Sequence, residues 1–283
     1  MREEKPTPTR LLAIDLDGTL LNSSGVLAAP QLEACRLASK VCTIAVATGR
    51  RPRKVRELLA EFDFPYYLIT NSGGRIEREP DGGVLFKRFH EPDILSEAVE
   101  QFVRNGLSVV FFCEETPDGD VVVLENDNPH PVFLGYVQRS EKYILRHISP
   151  GDPLPQKVHF ISSIGEEEAL TEVYSKLVHD LHGRFNMHLV RNISCDGAAF
   201  DVLPAGCSKW TALVYLADML EISHDAIATI GDDANDLDML ANSTISIAMG
   251  NARREIAEVA RHRTLRNDED GVSYAIREIL KLI

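Results

Sequence analysis

An α/β architecture, a doubly wound parallel sheet interrupted by an α+β insert, is predicted by three features of the 283-residue chain. Short apolar runs alternate with helical segments at both ends of the sequence. Acidic and hydroxyl residues stand where several of those runs stop, and the alternation breaks down between about residues 84 and 204 before it resumes. Strands that read as continuous apolar runs belong to sheets covered on both faces, which is the arrangement of parallel sheets.

The first apolar run, Leu11-Leu12-Ala13-Ile14, ends in Asp15-Leu16-Asp17-Gly18. A helix is expected over residues 30–40, since the fixed φ of Pro30 suits a first helical turn. Residues 43–47 form the next strand, Thr48-Gly49-Arg50 its loop, 52–62 a second helix opened by Pro52, and 66–69 a third strand. After Ser72-Gly73-Gly74 the pattern changes, and residues 84–89 beyond the turn Asp81-Gly82-Gly83 read as extended. A helix at 92–105, extended stretches at 107–112, 120–124 and 158–162, a helix at 166–181 and extended runs at 188–193 and 199–203 predict an α+β insert around its own antiparallel sheet. Residues 126–157 read as loop. The parallel pattern returns with a helix from Lys209 to about Leu220, a strand at 226–230, a helix at 235–241, a strand at 245–248 and a helix at 252–260. The expected division is therefore a core made of residues 1–83 and 205–283 and an insert of residues 84–204.

A formal charge of −13 argues against a nucleic-acid partner, which requires a basic stripe to neutralise phosphates. The acidic run Glu166-Glu167-Glu168 suits a helix N-terminus, where carboxylates are favoured. The five cysteines, Cys35, Cys42, Cys113, Cys195 and Cys207, show neither C-x-x-C nor zinc-ligand spacing. A reduced, cytoplasmic protein is the expectation. The opening MREEKPTPTR is charged where a signal peptide needs an apolar stretch, and no run approaches the length of a membrane span. A soluble chain with no membrane partner is expected, and nothing in the sequence sets an oligomeric state.

Ligands of open parallel sheets bind beyond the carboxyl ends of the strands. Asp15 follows Ile14, Thr48 follows Ala47, and Gly231-Asp232 follows Ile230, so acids and a hydroxyl distant in sequence converge on one sheet edge. Asp15 and Asp17 are two residues apart, and both carboxylates can face one site before the chain turns at Gly18. Paired carboxylates suit acid/base or nucleophilic work, although an Asp after a strand also starts turns and caps helices. Asp233 or Asn235 could cap the helix that follows Gly231, but one cap does not need four polar side chains. Several hard oxygen ligands without a His or Cys set point to magnesium rather than zinc or copper. Lys209 alone would read as an exposed helix residue. A cation is unfavourable at a helix N-terminus, however, so its position makes more sense beside an anion.

These residues carry a resemblance. Asp15-Leu16-Asp17-Gly18-Thr19-Leu20-Leu21, Thr48-Gly49-Arg50, Lys209 and Gly231-Asp232-Asp233-Ala234-Asn235-Asp236 resemble, in order, the four motifs of the haloacid dehalogenase (HAD) superfamily. Ala248-Met249-Gly250-Asn251-Ala252 and Asn267-Asp268-Glu269-Asp270-Gly271-Val272 resemble the C-terminal signature of its Cof-type, or IIB, subgroup. The resemblance implies a Rossmann-like HAD core with an inserted α+β cap domain that closes over the active site. It also implies a magnesium-dependent phosphatase acting on a small phosphorylated metabolite. Asp15 is then the nucleophile and Asp17 the general acid and base. Magnesium is held by Asp15, the backbone carbonyl of Asp17, and Asp232. Leu16, Thr48, Gly49, Lys209 and Asn235 bind phosphoryl oxygens, with Thr48 and Lys209 also counted as catalytic, and Asp236 acts through its neighbours. Ser72-Gly73-Gly74 departs from the Asn-Gly-Ala often found at that place, and Trp210 from a frequent Gly. The core motifs leave a phosphosugar mutase open as an alternative, since it shares the acid pair and cap type. A binding-only protein would be expected to have lost the nucleophile or the acid.

Overall fold

The computed structural model describes residues 9–180, 183–192 and 197–283. The leader 1–8, the expected helix end at Leu181, the strand end at residue 193 and Cys195 lie outside the described residues. In chain order the first segment holds β1 (Leu11–Ile14), α1 (Ala29–Ala38), β2 (Thr43–Ala47), α2 (Pro52–Leu58), β3 (Tyr66–Thr70), β4 (Arg75–Glu79) and β5 (Gly83–Lys87). There follow α3 (Pro92–Arg104), β6 (Val109–Thr116), β7 (Gly119–Leu124), α4 (Pro131–Ser140) and β8 (Ile144–Ile148). Next come β9 (Val158–Gly165), α5 (Glu167–Asp180), β10 (Phe185–Asn192) and β11 (Gly197–Pro204). The last segment holds α6 (Lys209–Met219), β12 (Ile227–Gly231), α7 (Leu237–Asn242), β13 (Ile245–Ala248), α8 (Arg254–Val259), β14 (His262–Arg263) and α9 (Gly271–Tyr274). Two compact units result: Lys87–Cys207 is one, and the segments up to Phe86 and from Ser208 form the other.

The core unit carries a sheet of order β14-β13-β12-β1-β2-β3-β4-β5. Its strands run parallel from β14 to β3, with Ile14 in register with Ile230 on one side and Val46 on the other. The alternation within each apolar run sends successive side chains to opposite faces. Leu12, Ile14, Ile44, Val46, Ala228 and Ile230 pack with α1, α2 and α9, whereas Leu11, Ala13, Ala45, Ala47 and Ile227 pack with α6. Both faces are thus dry, as continuous apolar strands require.

The change of pattern after Gly74 still falls within the core sheet. β4 pairs antiparallel with β3, Ile69 opposite Ile76, and β5 joins the same sheet. The reversal is made by Asn71, Ser72 and Gly73, all at positive φ (53°, 52° and 101°). Gly73 is also required by space, since a Cβ there would lie 2.2 Å from the Ser208 carbonyl oxygen.

The inserted unit has a sheet of order β10-β11-β9-β6-β7-β8. Its neighbours are antiparallel except β7 and β8, which run parallel, so the expected antiparallel sheet is corrected at that edge. Helices α3 and α5 cover one face through Phe102, Val99, Leu170 and Leu177 against Phe111, Ile161 and Phe200. Helix α4 covers the other through Phe133 against Val110, Phe112 and Phe160. The loop expected over 126–157 holds α4 and β8. The apolar pattern was silent there because α4 buries only Phe133 and Ser140, and β8 is an edge strand whose central residues Leu145, Arg146 and His147 are exposed. No helix among the described residues is long and apolar enough to cross a membrane.

Phe102 is 1% exposed and its ring centroid lies 4.9 Å from that of Phe200. Phe102→Ala is expected to lower the stability of the inserted unit by about 3–5 kcal/mol, as fully buried aromatic truncations do. Denaturant unfolding followed by circular dichroism measures this, and a loss below about 1 kcal/mol would contradict the packing described.

Candidate active site

Lys209 is the first residue of α6, after Ser208, which accepts from Thr211 N (3.2 Å) while Thr211 Oγ1 accepts from Ser208 N (3.0 Å). This cap fixes the start of the helix and with it the origin of the lysine side chain. The side chain is fully buried, unlike the exposed lysine that a helix start ordinarily carries. Its Nζ donates to Asp15 Oδ1 at 2.5 Å and to Asp236 Oδ1 at 2.6 Å. Burial alone would lower the lysine pKa, but the carboxylates of Asp15 and Asp236 outweigh it and raise it.

Asp236 is itself fully buried, and its Oδ2 accepts from the backbone N–H of Asp232 (2.9 Å) and of Asp233 (3.2 Å). Both of its oxygens are therefore engaged. The capping reading of the segment holds for Asp233, whose side chain accepts from Ala234 N at 2.8 Å. Asp232 Oδ1 accepts from Thr19 Oγ1 at 2.9 Å. Gly18, at φ 72°, leaves room for this carboxylate, since a Cβ there would lie 2.3 Å from Asp232 Oδ2.

Asp17 points to a different partner. Arg50 donates to it through Nε (2.7 Å to Oδ2) and Nη2 (2.6 Å to Oδ1), a two-pronged pair that fixes the carboxylate plane. The Thr48–Arg50 loop is folded on itself, with Arg50 N donating to Thr48 Oγ1 at 3.1 Å. Gly49 lies next to Asn235: a Cβ on Gly49 would come within 3.5 Å of Asn235 Nδ2. The structure thus brings Asp15, Asp232, Asp236 and Lys209 together, sets Gly49 beside Asn235, and pairs Asp17 with Arg50. The Leu16 side chain is buried in the apolar core, so only its backbone is available to a ligand.

The sequence motifs assign no individual role to Thr19, Arg50, Asn251 or Asn267. Asn251 Nδ2 donates to the Gly18 carbonyl (2.8 Å) and lies 3.4 Å from Asp232 Oδ2. Its Oδ1 accepts from Asn267 N (2.9 Å), and Asn267 Nδ2 donates to the Leu21 carbonyl (3.0 Å). The signal was present, because both asparagines stand in the C-terminal signature segments, but their destination more than 200 residues away was not legible.

Carboxylate oxygens of Asp15, Asp232 and Asp236 lie within 4.8 Å of one another. Hard oxygen donors at this spacing fit one divalent cation, and Asp15 and Asp232 suit it better than the already engaged Asp236. Burial and crowding raise the pKa values of Asp15 and Asp232. Burial, then the charge of Asp236, pushes Asp15 up to about 8 even though Lys209 pulls it down. Burial, then Asp15 and Asp236, raises Asp232 well above the usual carboxylate range. One lysine does not neutralise three carboxylates.

A largely parallel sheet whose strand-end acids converge on a buried lysine is an arrangement suited to a cation and an anionic group together. The family model of haloacid dehalogenase-like hydrolases matches residues 12–276, and the chain belongs to that family. The resemblance drawn from the motifs is borne out. The 5-amino-6-(5-phospho-D-ribitylamino)uracil phosphatase YwtE of Bacillus subtilis is 28% identical over 96% of this chain and 98% of its own. The HMP-PP phosphatase of Cronobacter sakazakii is 29% identical over 87% of this chain and 86% of its own. Among solved structures, that of the HAD subclass IIB sugar phosphatase BT4131 has a TM-score of 0.77 at 21% identity, over 97% of this chain and 100% of that one.

The raised carboxylates predict a pH dependence. Asp15 has a folded pKa of about 8 against 3.8 for the free group, so the native state binds the extra proton between those values. The stability from that proton is present below about pH 4 and is lost as pH rises toward 8. In EDTA the Tm is expected to fall from pH 5 to pH 8, and magnesium is expected to flatten the fall by occupying the carboxylates. A thermal-shift series with and without magnesium tests this, and a metal-free Tm that rises over that range would contradict it.

Proposed function

We propose that this HAD-family hydrolase is a magnesium-dependent phosphatase that cleaves small phosphate monoesters through a phospho-aspartyl intermediate on Asp15. The observation that carries the reading is the buried Asp15–Lys209–Asp236 chain beside Asp232, with a second carboxylate, Asp17, two residues from the first. The names of two relatives support it, since one specifies HMP-PP and the other 5-amino-6-(5-phospho-D-ribitylamino)uracil, both phosphorylated small molecules. A cytoplasmic setting fits the described cysteines, Cys35, Cys42, Cys113 and Cys207, which are all buried and free.

In the first half-reaction an Asp15 carboxylate oxygen attacks phosphorus, the bond from phosphorus to the alcohol oxygen breaks, and that oxygen takes a proton from Asp17. In the second, Asp17 accepts a proton from water as the water oxygen attacks the aspartyl phosphate. Inorganic phosphate leaves and the Asp15 carboxylate is restored. Asp17 exchanges Arg50 for the leaving oxygen when it acts, and Arg50 otherwise holds it in place. Thr48, Gly49, Asn235 and the Leu16 backbone contact phosphoryl oxygens, while Lys209 carries the charge of Asp15 and of the incoming phosphate. Magnesium, when bound by Asp15, the Asp17 carbonyl and Asp232, supplies charge neutralisation and orients the phosphoryl group. A phosphate beside unneutralised carboxylates would meet a repulsion of about 4 kcal/mol per unit pair at roughly 4 Å. The inserted unit is the part of the chain to which we assign substrate preference.

Phosphate release from a phosphometabolite panel, with magnesium against EDTA, tests the activity; no release from any member would sink it. Asp15→Asn is expected to abolish turnover in a folded protein, because the amide keeps the shape but is a poor nucleophile. Asp17→Asn is expected to fail most with esters of poorly leaving alcohols. For Lys209→Ala a fall in kcat/KM of at least about a hundredfold is expected, roughly 2.7 kcal/mol of transition-state stabilisation. Lys209→Arg should recover only part of this, since a planar fork does not replace a compact ammonium. Near-normal kinetics in Lys209→Ala would remove the lysine from the mechanism.

A further inference from the structure

We propose that Ser72 donates a hydrogen bond to a phosphoryl oxygen in the same pocket, a contact that rests on the phosphatase reading above. Ser72 follows the carboxyl end of β3, in the turn that reverses the chain into β4. The turn is tied to the Thr48–Arg50 loop, as Ser72 N donates to the Thr48 carbonyl and Asn71 N to the Arg50 carbonyl, each at 3.0 Å. These bonds fix where the Ser72 side chain leaves the backbone.

Three observations then converge on its hydroxyl. Ser72 is 1% exposed, and its Oγ has no hydrogen-bond partner among the described residues. A buried hydroxyl left unpaired is unfavourable, so this group is expected to serve a partner that arrives with a ligand. The second observation is conformational: Asn71 and Ser72 both take left-handed backbone angles, at φ 53° and 52°. Glycine or asparagine would satisfy the second of these positions more readily than serine, and strain at a strand end beside a binding loop marks a functional position. The third is the direction in which the hydroxyl points. A Cβ built on Gly49 would lie 3.2 Å from Ser72 Oγ and 3.5 Å from Asn235 Nδ2.

Gly49 does not hold a left-handed angle, so glycine is needed there for space and not for backbone freedom. The hollow over its α-carbon is bordered by one hydroxyl and one amide, both neutral donors. A tetrahedral anion backed into this hollow against Gly49 would meet both groups. A neutral donor also adds no charge to a pocket whose balance is already set by Lys209 and three carboxylates.

The test uses the full-length protein with magnesium, and inorganic phosphate as the probe, with binding read by calorimetry. Ser72→Gly relieves the left-handed strain while removing the hydroxyl, and Ser72→Ala removes the hydroxyl while keeping the strain. Both are expected to weaken phosphate binding about tenfold and to lower kcat/KM by a similar factor, with the Tm of Ser72→Gly no lower than that of the wild type. A merely structural serine would give the opposite split for Ser72→Gly, with phosphate affinity within about twofold of the wild type, and that result would overturn the inference. A wild-type protein that neither binds phosphate nor releases it from any ester would overturn the phosphatase reading itself.

Discussion

The ammonium of Lys209, buried and held at 2.5 Å from Asp15 and 2.6 Å from Asp236, is the contact on which the arrangement of the site depends. Taking these charges out of water is costly, and the cost is offset only where every polar group is engaged in good geometry. Asp236 meets that demand with two backbone N–H groups on its second oxygen. It reaches them because residue 231 is glycine: a Cβ there would lie 2.6 Å from the Asp236 carboxyl carbon. Asp15 is less completely balanced. Burial and the charge of Asp236 raise its pKa, and a divalent cation would offset that crowding.

Around that ion pair the fold works as a set of supports. Asp15 directly follows β1, and its N–H donates to the Ile230 carbonyl on the neighbouring β12, so the two acidic loops leave the sheet side by side. Asn251 and Asn267 then tie the C-terminal segment to the carbonyls of Gly18 and Leu21, closing the acidic turn from outside. On the other side, Arg56 of α2 pairs with Glu77 and Glu79 of β4, and Arg75 also pairs with Glu77, which is 1% exposed. These pairs anchor the helix that follows the Thr48–Arg50 loop. Removing one partner would leave a buried charge unmatched, so the network specifies position more than it adds stability.

The inserted unit is built on a separate logic. Its sheet buries both faces with aromatic side chains, including the stacked rings of Phe112 and Phe160 with centroids 4.2 Å apart. It also buries polar residues. Between β5 and α3, His90 donates through Nε2 to the Val202 carbonyl (3.1 Å) and stays neutral because burial depresses its pKa to about 4. Burial pushes Asp201 up to about 6.

By itself, the sequence determined the strands whose apolar runs are buried on both faces and the residues that terminate them. Burial on both faces demands continuous apolar side chains, and polar residues at strand ends are conspicuous against them. Asp15, Thr48 and Asp232 were therefore legible, as was the interruption of the core by a differently patterned insert. Tertiary structure decided what depends on distance through space. No local pattern shows that β4 and β5 complete the core sheet, because a turn of positive-φ residues reads alike whether the chain turns back or moves on. Helix α4 and strand β8 were hidden because one buries few side chains and the other lies at a sheet edge. The burial of Lys209, the grip of Arg50 on Asp17 and the reach of Asn251 to Gly18 are contacts between residues that share no sequence neighbourhood. Only the folded chain places them within hydrogen-bonding distance.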